Sequence, residues 1–334
     1  MLIDKVKVTI KKYNILQKHD RILVGLSGGP DSVTLLYVLF ALTKEYLLNV
    51  HVAHLNHKIR GGESASDRRF CEEFAKKLNL DIVCEEIDVT KIAKEKNISL
   101  EEAARFERYG FFKRTADAKK IKKVAVGHTR DDQAETVLMR AIRGSGMLGL
   151  GGISPIKDIR GLTIIRPLIE ISRQEIEDFV RDNDLQFKHD SSNDKVIFTR
   201  NRIRHELIPY LQKNFNPNIK EILSNTAENL RLENEFLEKF ARRKFRSMAK
   251  KNKSGGIIID IKKFKTQSEA IRKRVLRSAL EEVKGNLRRF TYQHWKEMES
   301  LIDKRPGNSI VDLPGRINIV KSKDTLIVEK ENVL

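Results

Sequence analysis

Cysteine is scarce: Cys71 and Cys84 are the only two in 334 residues. They form no Cys-x-x-Cys pair, so the chain offers neither a disulfide framework nor a zinc site. No apolar run approaches bilayer-spanning length, and the opening Met1-Leu-Ile-Asp-Lys-Val-Lys is too charged for a signal peptide. A cytoplasmic protein with no membrane partner is expected. Acidic residues are in deficit, 46 against 65 lysines and arginines, for a net charge of +19. A surplus of this size favours a polyanionic partner, nucleic acid first, although a generally lysine-rich surface gives the same composition. At this length two domains are the natural expectation.

What is present centres on Arg21-Ile-Leu-Val-Gly-Leu-Ser-Gly-Gly-Pro-Asp-Ser-Val-Thr-Leu-Leu36. It reads as a buried strand (Ile22 to Leu26), a tight turn (Ser27 to Ser32) and the start of a helix. Such a turn gathers free backbone N–H groups at the positive end of a helix dipole, which makes an anion site. Gly28 and Gly29 allow close approach of a phosphate and positive φ where the turn needs it. Ser27 and Ser32 add hydroxyl donors, and Pro30 suits a first-turn position. Asp31 would repel phosphate unless a cation lay between them, which points to Mg²⁺. The plainer alternative is a glycine turn in which Asp31 and Ser32 only cap a helix. A Walker A loop is excluded, because the Gly-Lys-Ser/Thr ending is absent.

Strand patterns at Val50–His54, Asp81–Val89 and Lys123–Gly127 alternate with helical ones, including residues 64–78 and the helix from Asp131. The alternation implies a parallel sheet with helices on both faces. Ligands of such sheets bind at the carboxyl ends of the strands. That rule gathers the glycine turn, Ala53-His54, whose backbone would hold an adenine, and Gly127-His128. In Gly127-His-Thr-Arg-Asp-Asp-Gln-Ala-Glu-Thr136, Asp131 or Thr129 caps a helix, and Asp132 and Glu135 share one face of its first turn. They are either ordinary dipole partners or a cage for an ammonium group or Mg²⁺. Ser99 and Glu102 form a capping box; on the helix they open, Arg105 and Arg108 share a face and either reach phosphates or pair with nearby glutamates. Residues 143–153 hold five glycines, giving a mobile loop or a compact turn. Asp190–Asp194 reads as a turn, and Arg200, Arg202 and Arg204 suit phosphate contacts.

The boundary is placed after Asn216, dividing a catalytic domain (1–216) from a smaller basic α+β domain (217–334). The second domain opens with a long linking helix, broken at most once, whose end carries Arg242, Arg243 and Lys244. It closes in a small hairpin-like sheet and holds no catalytic constellation.

Five motifs occur in order: Ser27-Gly-Gly-Pro-Asp-Ser32; His54-x-Asn-His-x-x-Arg-Gly61 with Glu63-Ser64; Glu101-Glu-Ala-Ala-Arg-x-x-Arg-Tyr109; Gly127-His-x-x-Asp-Asp-Gln-Ala-Glu-Thr136; and Arg200-Asn-Arg-Ile-Arg204. The first resembles the PP-loop of the ATP pyrophosphatases, and the set resembles the tRNA(Ile)-lysidine synthases. The resemblance implies an adenine nucleotide alpha hydrolase-like fold with ATP and Mg²⁺ as cofactors. It implies that ATP adenylates the 2-oxo group of the wobble cytidine in the CAU anticodon of an isoleucine tRNA. The ε-amine of L-lysine then displaces AMP. Ser27 to Ser32 with Ala53 and His54 would bind ATP, and Asp31 the metal. Arg108, with Arg105 as second choice, and His128 would stabilise charge; Asp132 and Glu135 would hold the lysine. Arg200, Arg202, Arg204, Arg242, Arg243 and Lys244 would contact tRNA. Longer family members carry one more domain, so a reduced tRNA-recognition surface is expected here. The oligomeric state stays open, a homodimer included. Rivals are a PP-loop tRNA thiolation enzyme, for which the cysteine spacing is wrong, a small-molecule amidotransferase or synthetase, and a non-enzymatic RNA-binding protein.

Overall fold

A computed structural model describes residues 1–58, 62–188, 199–287 and 289–331, with the backbone alone for 62–65. The expected turn at Asp190–Asp194 lies outside the described residues, as do Arg60, Gly61 and the side chains of Glu63 and Ser64. The chain forms two compact units, Met1–Arg231 and Leu232–Leu334.

The strands of the first unit are β1 (Arg21–Gly25), β2 (Asn49–Asn56), β3 (Ile82–Glu86), β4 (Lys123–Ala125), β5 (Ile156–Ile159) and β6 (Leu162–Ile165). They form one sheet in the order β3-β2-β1-β4-β6-β5. All pairings are parallel except the last, where β5 returns antiparallel on β6. The parallel α/β expectation therefore holds, with an antiparallel edge added. β1 is central, and Ile22, Leu23 and Val24 are fully buried because both faces of the sheet are covered. Alternate side chains serve opposite cores. Ile22 and Val24 pack with the helices Leu2–Tyr13, Pro30–Ala41 and Arg173–Asp182, whereas Leu23 packs with Tyr109, Phe111 and Phe112 of the helix Leu100–Ala118. From β1 the chain moves outward to β2 and β3, then returns to the other side of β1 with β4. The crevice between the ends of β1 and β4 is thus the topological switch point, where ligands of open α/β sheets bind.

The long linking helix is Ile219–Met248, continuous over 30 residues. In the second unit, β7 (Ala249–Lys251), β8 (Ile257–Asp260), β9 (Ile310–Leu313), β10 (Ile317–Lys321) and β11 (Thr325–Lys330) form an antiparallel sheet ordered β7-β8-β11-β10-β9. Helices Glu269–Lys284 and Tyr292–Asp303 close its core around Phe264, Val275, Met298 and Ile319. The sheet is larger than the hairpin expected.

Candidate active site

The turn after β1 is built as an anion cradle. Gly28 has φ of +91°, which an L side chain resists, whereas Gly29 is extended and is the N-cap of the helix Pro30–Ala41. Among the described residues the amides of Gly28 and Gly29 donate to no protein acceptor. Ser32 has a different place from the one anticipated. Its buried hydroxyl donates to the Gly29 carbonyl (3.0 Å) and accepts from the Ser27 N–H (3.1 Å), so it ties the loop together. Ser27 is exposed, and its hydroxyl lies within hydrogen-bond distance, 3.1 Å, of the Ser32 hydroxyl.

Asp31 follows. One of its oxygens, Oδ1, is buried and has no partner among the described residues, while Oδ2 lies 3.4 Å from Nη1 of Arg173. Burial pushes its pKa up to about 6, opposed by Arg173 and reinforced by Asp132 and Asp131. A half-satisfied carboxylate beside a phosphate cradle suits Mg²⁺, which takes one or two carboxylates and completes its shell with phosphate oxygens and water. Gly127, at the end of β4, lets this wall close. A Cβ there would stand 3.0 Å from the Asp31 carbonyl oxygen and 3.3 Å from the Ser32 nitrogen.

Across the crevice, Thr129 caps the helix Arg130–Ile142 in a reciprocal box with Asp132, whose Oδ2 accepts from the Thr129 N–H at 2.8 Å. Of the two caps considered, Thr129 is the one used. Asp131 instead accepts from the Arg173 N–H (2.7 Å) and from Lys220 (2.6 Å). Asp132 and the buried Glu135 do converge, and they are occupied by cations. Arg200 donates to Asp132 and to Glu135, both at 2.7 Å; Arg204 donates to both oxygens of Glu135, at 2.5 and 3.1 Å. Burial disfavours the Asp132 charge, but Arg200, the Thr129 N–H and Arg204 outweigh it and hold its pKa below the usual carboxylate range. Arg200 and Arg204 therefore differ from their anticipated place on a phosphate-facing surface. Arg202, from the same segment, points outward and lies 3.4 Å from Glu206.

His128 is half-buried between these walls. Its pKa is lowered to about 3 by burial and by Arg166, Arg200 and Arg108, with only Asp132 opposing, so the imidazole is neutral. Arg105 and Arg108 are exposed on their helix, and Arg105 lies over the Tyr109 ring at 5.0 Å. Ala53 and His54 sit within β2, two residues short of its end. The Ala53 carbonyl accepts from the Leu26 N–H, and His54 Nδ1 contacts the Leu26 carbonyl, both at 2.9 Å. Nε2 of His54 is buried and has no partner among the described residues.

Residues 143–153 form a compact turn. A one-turn helix, Met147–Leu150, is pinned by Arg140 to the carbonyls of Gly149 and Gly152, each at 2.7 Å, and Gln133 exchanges hydrogen bonds with the backbone of Ile153. Arg242 and Arg243 are exposed on the helix Ile219–Met248; Arg243 and Lys244 lie near the Phe240 ring at 6.0 and 5.4 Å. Sequence reasoning missed Arg166, Arg173 and Lys220. Only the dense basic composition signalled them, since their partners lie from 38 to 142 residues away.

Residues 2–211 match the PP-loop domain, and residues 259–327 match the TilS substrate binding domain. The chain is 38% identical over 334 residues to a protein of Clostridioides difficile (strain 630) named tRNA(Ile)-lysidine synthase, covering all of this chain and 72% of that one. A Clostridium tetani (strain Massachusetts / E88) protein of the same name is 39% identical over 321 residues, 96% of this chain and 68% of its own. Among solved structures, the U34-tRNA thiolase NcsA from Methanococcus maripaludis, with its 4Fe-4S cluster, superposes with a TM-score of 0.58 at 21% identity. It covers 68% of this chain and 78% of that one, and shares the fold.

Proposed function

This chain belongs to the tRNA(Ile)-lysidine synthase family, and from that premise we propose how its residues divide the family's reaction. The enzyme is an ATP-dependent ligase acting on isoleucine tRNA. In the first step, the 2-oxo oxygen of the wobble cytidine attacks the α-phosphorus of ATP and pyrophosphate leaves. In the second, the ε-amine of L-lysine attacks C2, and AMP departs with that oxygen.

The amides of Gly28 and Gly29 and the Ser27 hydroxyl bind the departing phosphates. Preorganised donors of this kind cost no reorganisation as charge develops. Asp31 is the residue that would hold Mg²⁺, which when bound neutralises phosphate charge. Arg108, with Arg105 behind it, supplies fixed positive charge for the α-phosphate. His128, being neutral, acts there as a hydrogen-bond donor.

One observation carries the lysine assignment: Asp132 and Glu135 already hold two long cationic side chains, those of Arg200 and Arg204, at 2.5–3.1 Å. A carboxylate pair built to that geometry fits an ammonium on a flexible stem. The ε-amine, with a pKa near 10.4 in water, arrives protonated and must lose a proton before attack. With both guanidiniums committed inward, tRNA phosphate contacts fall to Arg202 and to Arg242, Arg243 and Lys244. The functional division at residue 216 belongs to the same proposal.

Thiolation is disfavoured by the cysteines. Cys71 is buried with its thiol pKa pushed far up, and burial raises that of Cys84 to about 11, so neither is a thiolate at neutral pH. The deciding experiment supplies ATP, radiolabelled lysine and isoleucine tRNA transcripts bearing CAU. Label should enter that tRNA and not a transcript with another wobble base. A folded, ATP-binding protein that labels neither would overturn the reading.

A further inference from the structure

Arg166 follows β6 and is 2% exposed, yet no carboxylate pairs with it among the described residues. Its backbone N–H donates to the Pro155 carbonyl at 3.0 Å, and its Nη1 to the Ser154 carbonyl at 2.7 Å. Its Nε donates to Nδ1 of His128 at 3.2 Å. Burying a guanidinium without an ion pair is costly, and evolution usually avoids it. The contact with His128 gives a reason for the cost here.

We propose that Arg166 is a positioning residue that holds His128 in its Nε2–H tautomer and presents that N–H to the reacting phosphoryl oxygens. A guanidinium has only donors and never gives up its proton in a protein. The imidazole atom facing it must therefore be a lone pair, and the single ring proton is left on Nε2. An imidazolium would turn an N–H against an N–H, so the same contact resists protonation. The low pKa of His128 agrees with this, burial being its largest cause and Arg166 the next that lowers it. Arg108 and Arg200 also face the ring with positive charge, and Asp132 faces it with negative charge; the three cations prevail. A fixed charge behind the ring also polarises Nε2–H toward the crevice, making it a stronger donor. Proton inventory is unchanged through the step: His128 donates a hydrogen bond and keeps its proton.

The role in adenylation rests on the function proposed above, but the tautomer does not. Long-range ¹H–¹⁵N spectra of histidine-labelled protein, with the resonance identified by its loss in His128→Asn, read the tautomer directly. Wild-type protein should show neutral His128 with the proton on Nε2 throughout pH 5–8. Arg166→Met should give a mixture of the two neutral tautomers and slow single-turnover adenylation at least tenfold, with KM for ATP nearly unchanged. Arg166→Lys, which keeps a donor and its charge, should restore the Nε2–H form and most of the rate. A wild-type spectrum with the proton on Nδ1, or with an imidazolium at neutral pH, would overturn the proposal even if Arg166→Met does not fold. So would an Arg166→Met spectrum matching wild type. Failure to label tRNA with lysine, with the Nε2–H form intact, would instead count against the function alone.

Discussion

Asp132 does two jobs with its two oxygens. Oδ2 closes the cap of its own helix, and Oδ1 faces Arg200. Asp132→Asn keeps most of the cap geometry and removes the charge, so adenylation should persist while lysine transfer falls about 100-fold, or about 2.7 kcal/mol. Pyrophosphate exchange and lysine incorporation, measured side by side, separate the two; equal losses in both would remove the lysine assignment. Glu135 is the less forgiving partner. Glu135→Ala leaves two guanidiniums without their shared carboxylate and should cost about 3 kcal/mol of stability, the low end for a buried pair because both arginines keep some solvent. Thermal unfolding checks it, and a shift of under about 0.5 kcal/mol would mean the pair is not structural. The carboxylates were legible in the sequence because three residues separate them on one helix. Their cations were not, because spacing within Arg200–Arg204 gives a shared face without saying whether that face meets phosphate or a carboxylate 65 residues earlier.

The helix Arg173–Asp182 illustrates what a cap is worth. Glu175 accepts from the Ser172 N–H (2.9 Å) and hydroxyl (2.7 Å) and pairs with Lys5. Burial opposes its charge, but the Lys5 and Ser172 contacts outweigh that and hold its pKa down to about 2. The unfolded value is near 4.3, so the group binds fewer protons when folded. Its contribution, about 2–3 kcal/mol, is complete above about pH 5 and is lost as pH falls toward 2. Glu175→Gln should therefore lower the midpoint of urea unfolding at pH 7 and lower it by only about half as much at pH 3. At the neighbouring crevice, Gly127→Ala drives a Cβ onto the backbone of Asp31 and Ser32, where nothing flexible can yield. Loss of ATP binding with a retained circular dichroism spectrum is the expected result; normal ATP affinity would show that the two walls can separate freely. The alternating elements and the glycine turn could be read in advance because period and turn chemistry are local. β5 could not: Ile156–Ile159 is short and half polar, and only pairing with β6 makes it a strand.

At the scale of the whole chain, the charge of +19 was visible at once, but its distribution was not. Several arginines that swell the total are spent inside the first unit: Arg166 on His128, and Arg200 and Arg204 on Asp132 and Glu135. The exposed Arg242 and Arg243 and the half-buried Lys244 are left for a polyanion. Replacing the three together with alanine should weaken tRNA binding at every sequence. The dependence of log affinity on log salt should flatten by about 2–3, close to one unit for each phosphate no longer neutralised. Filter binding from low to high salt tests this. An unchanged slope would move the tRNA surface elsewhere. Lysine KM should stay as in wild type, since none of the three belongs to the unit that holds Asp132 and Glu135. Among the described residues no helix is long and apolar enough to cross a membrane.

The β5–β6 hairpin turns through two residues, Arg160 and Gly161, both with positive φ (54° and 76°), which fixes the register of Ile156 opposite Ile165. Ser154 and Pro155, whose carbonyls hold Arg166, are the residues immediately before that hairpin. Surface turns are ordinarily where lineages gain and lose residues at no cost. Here one inserted residue would slip β5 by a step and carry the two carbonyls away from the guanidinium. The turn at the opposite end of β6 from Arg166 is thus held to a fixed length, and length variation among natural sequences should skip it.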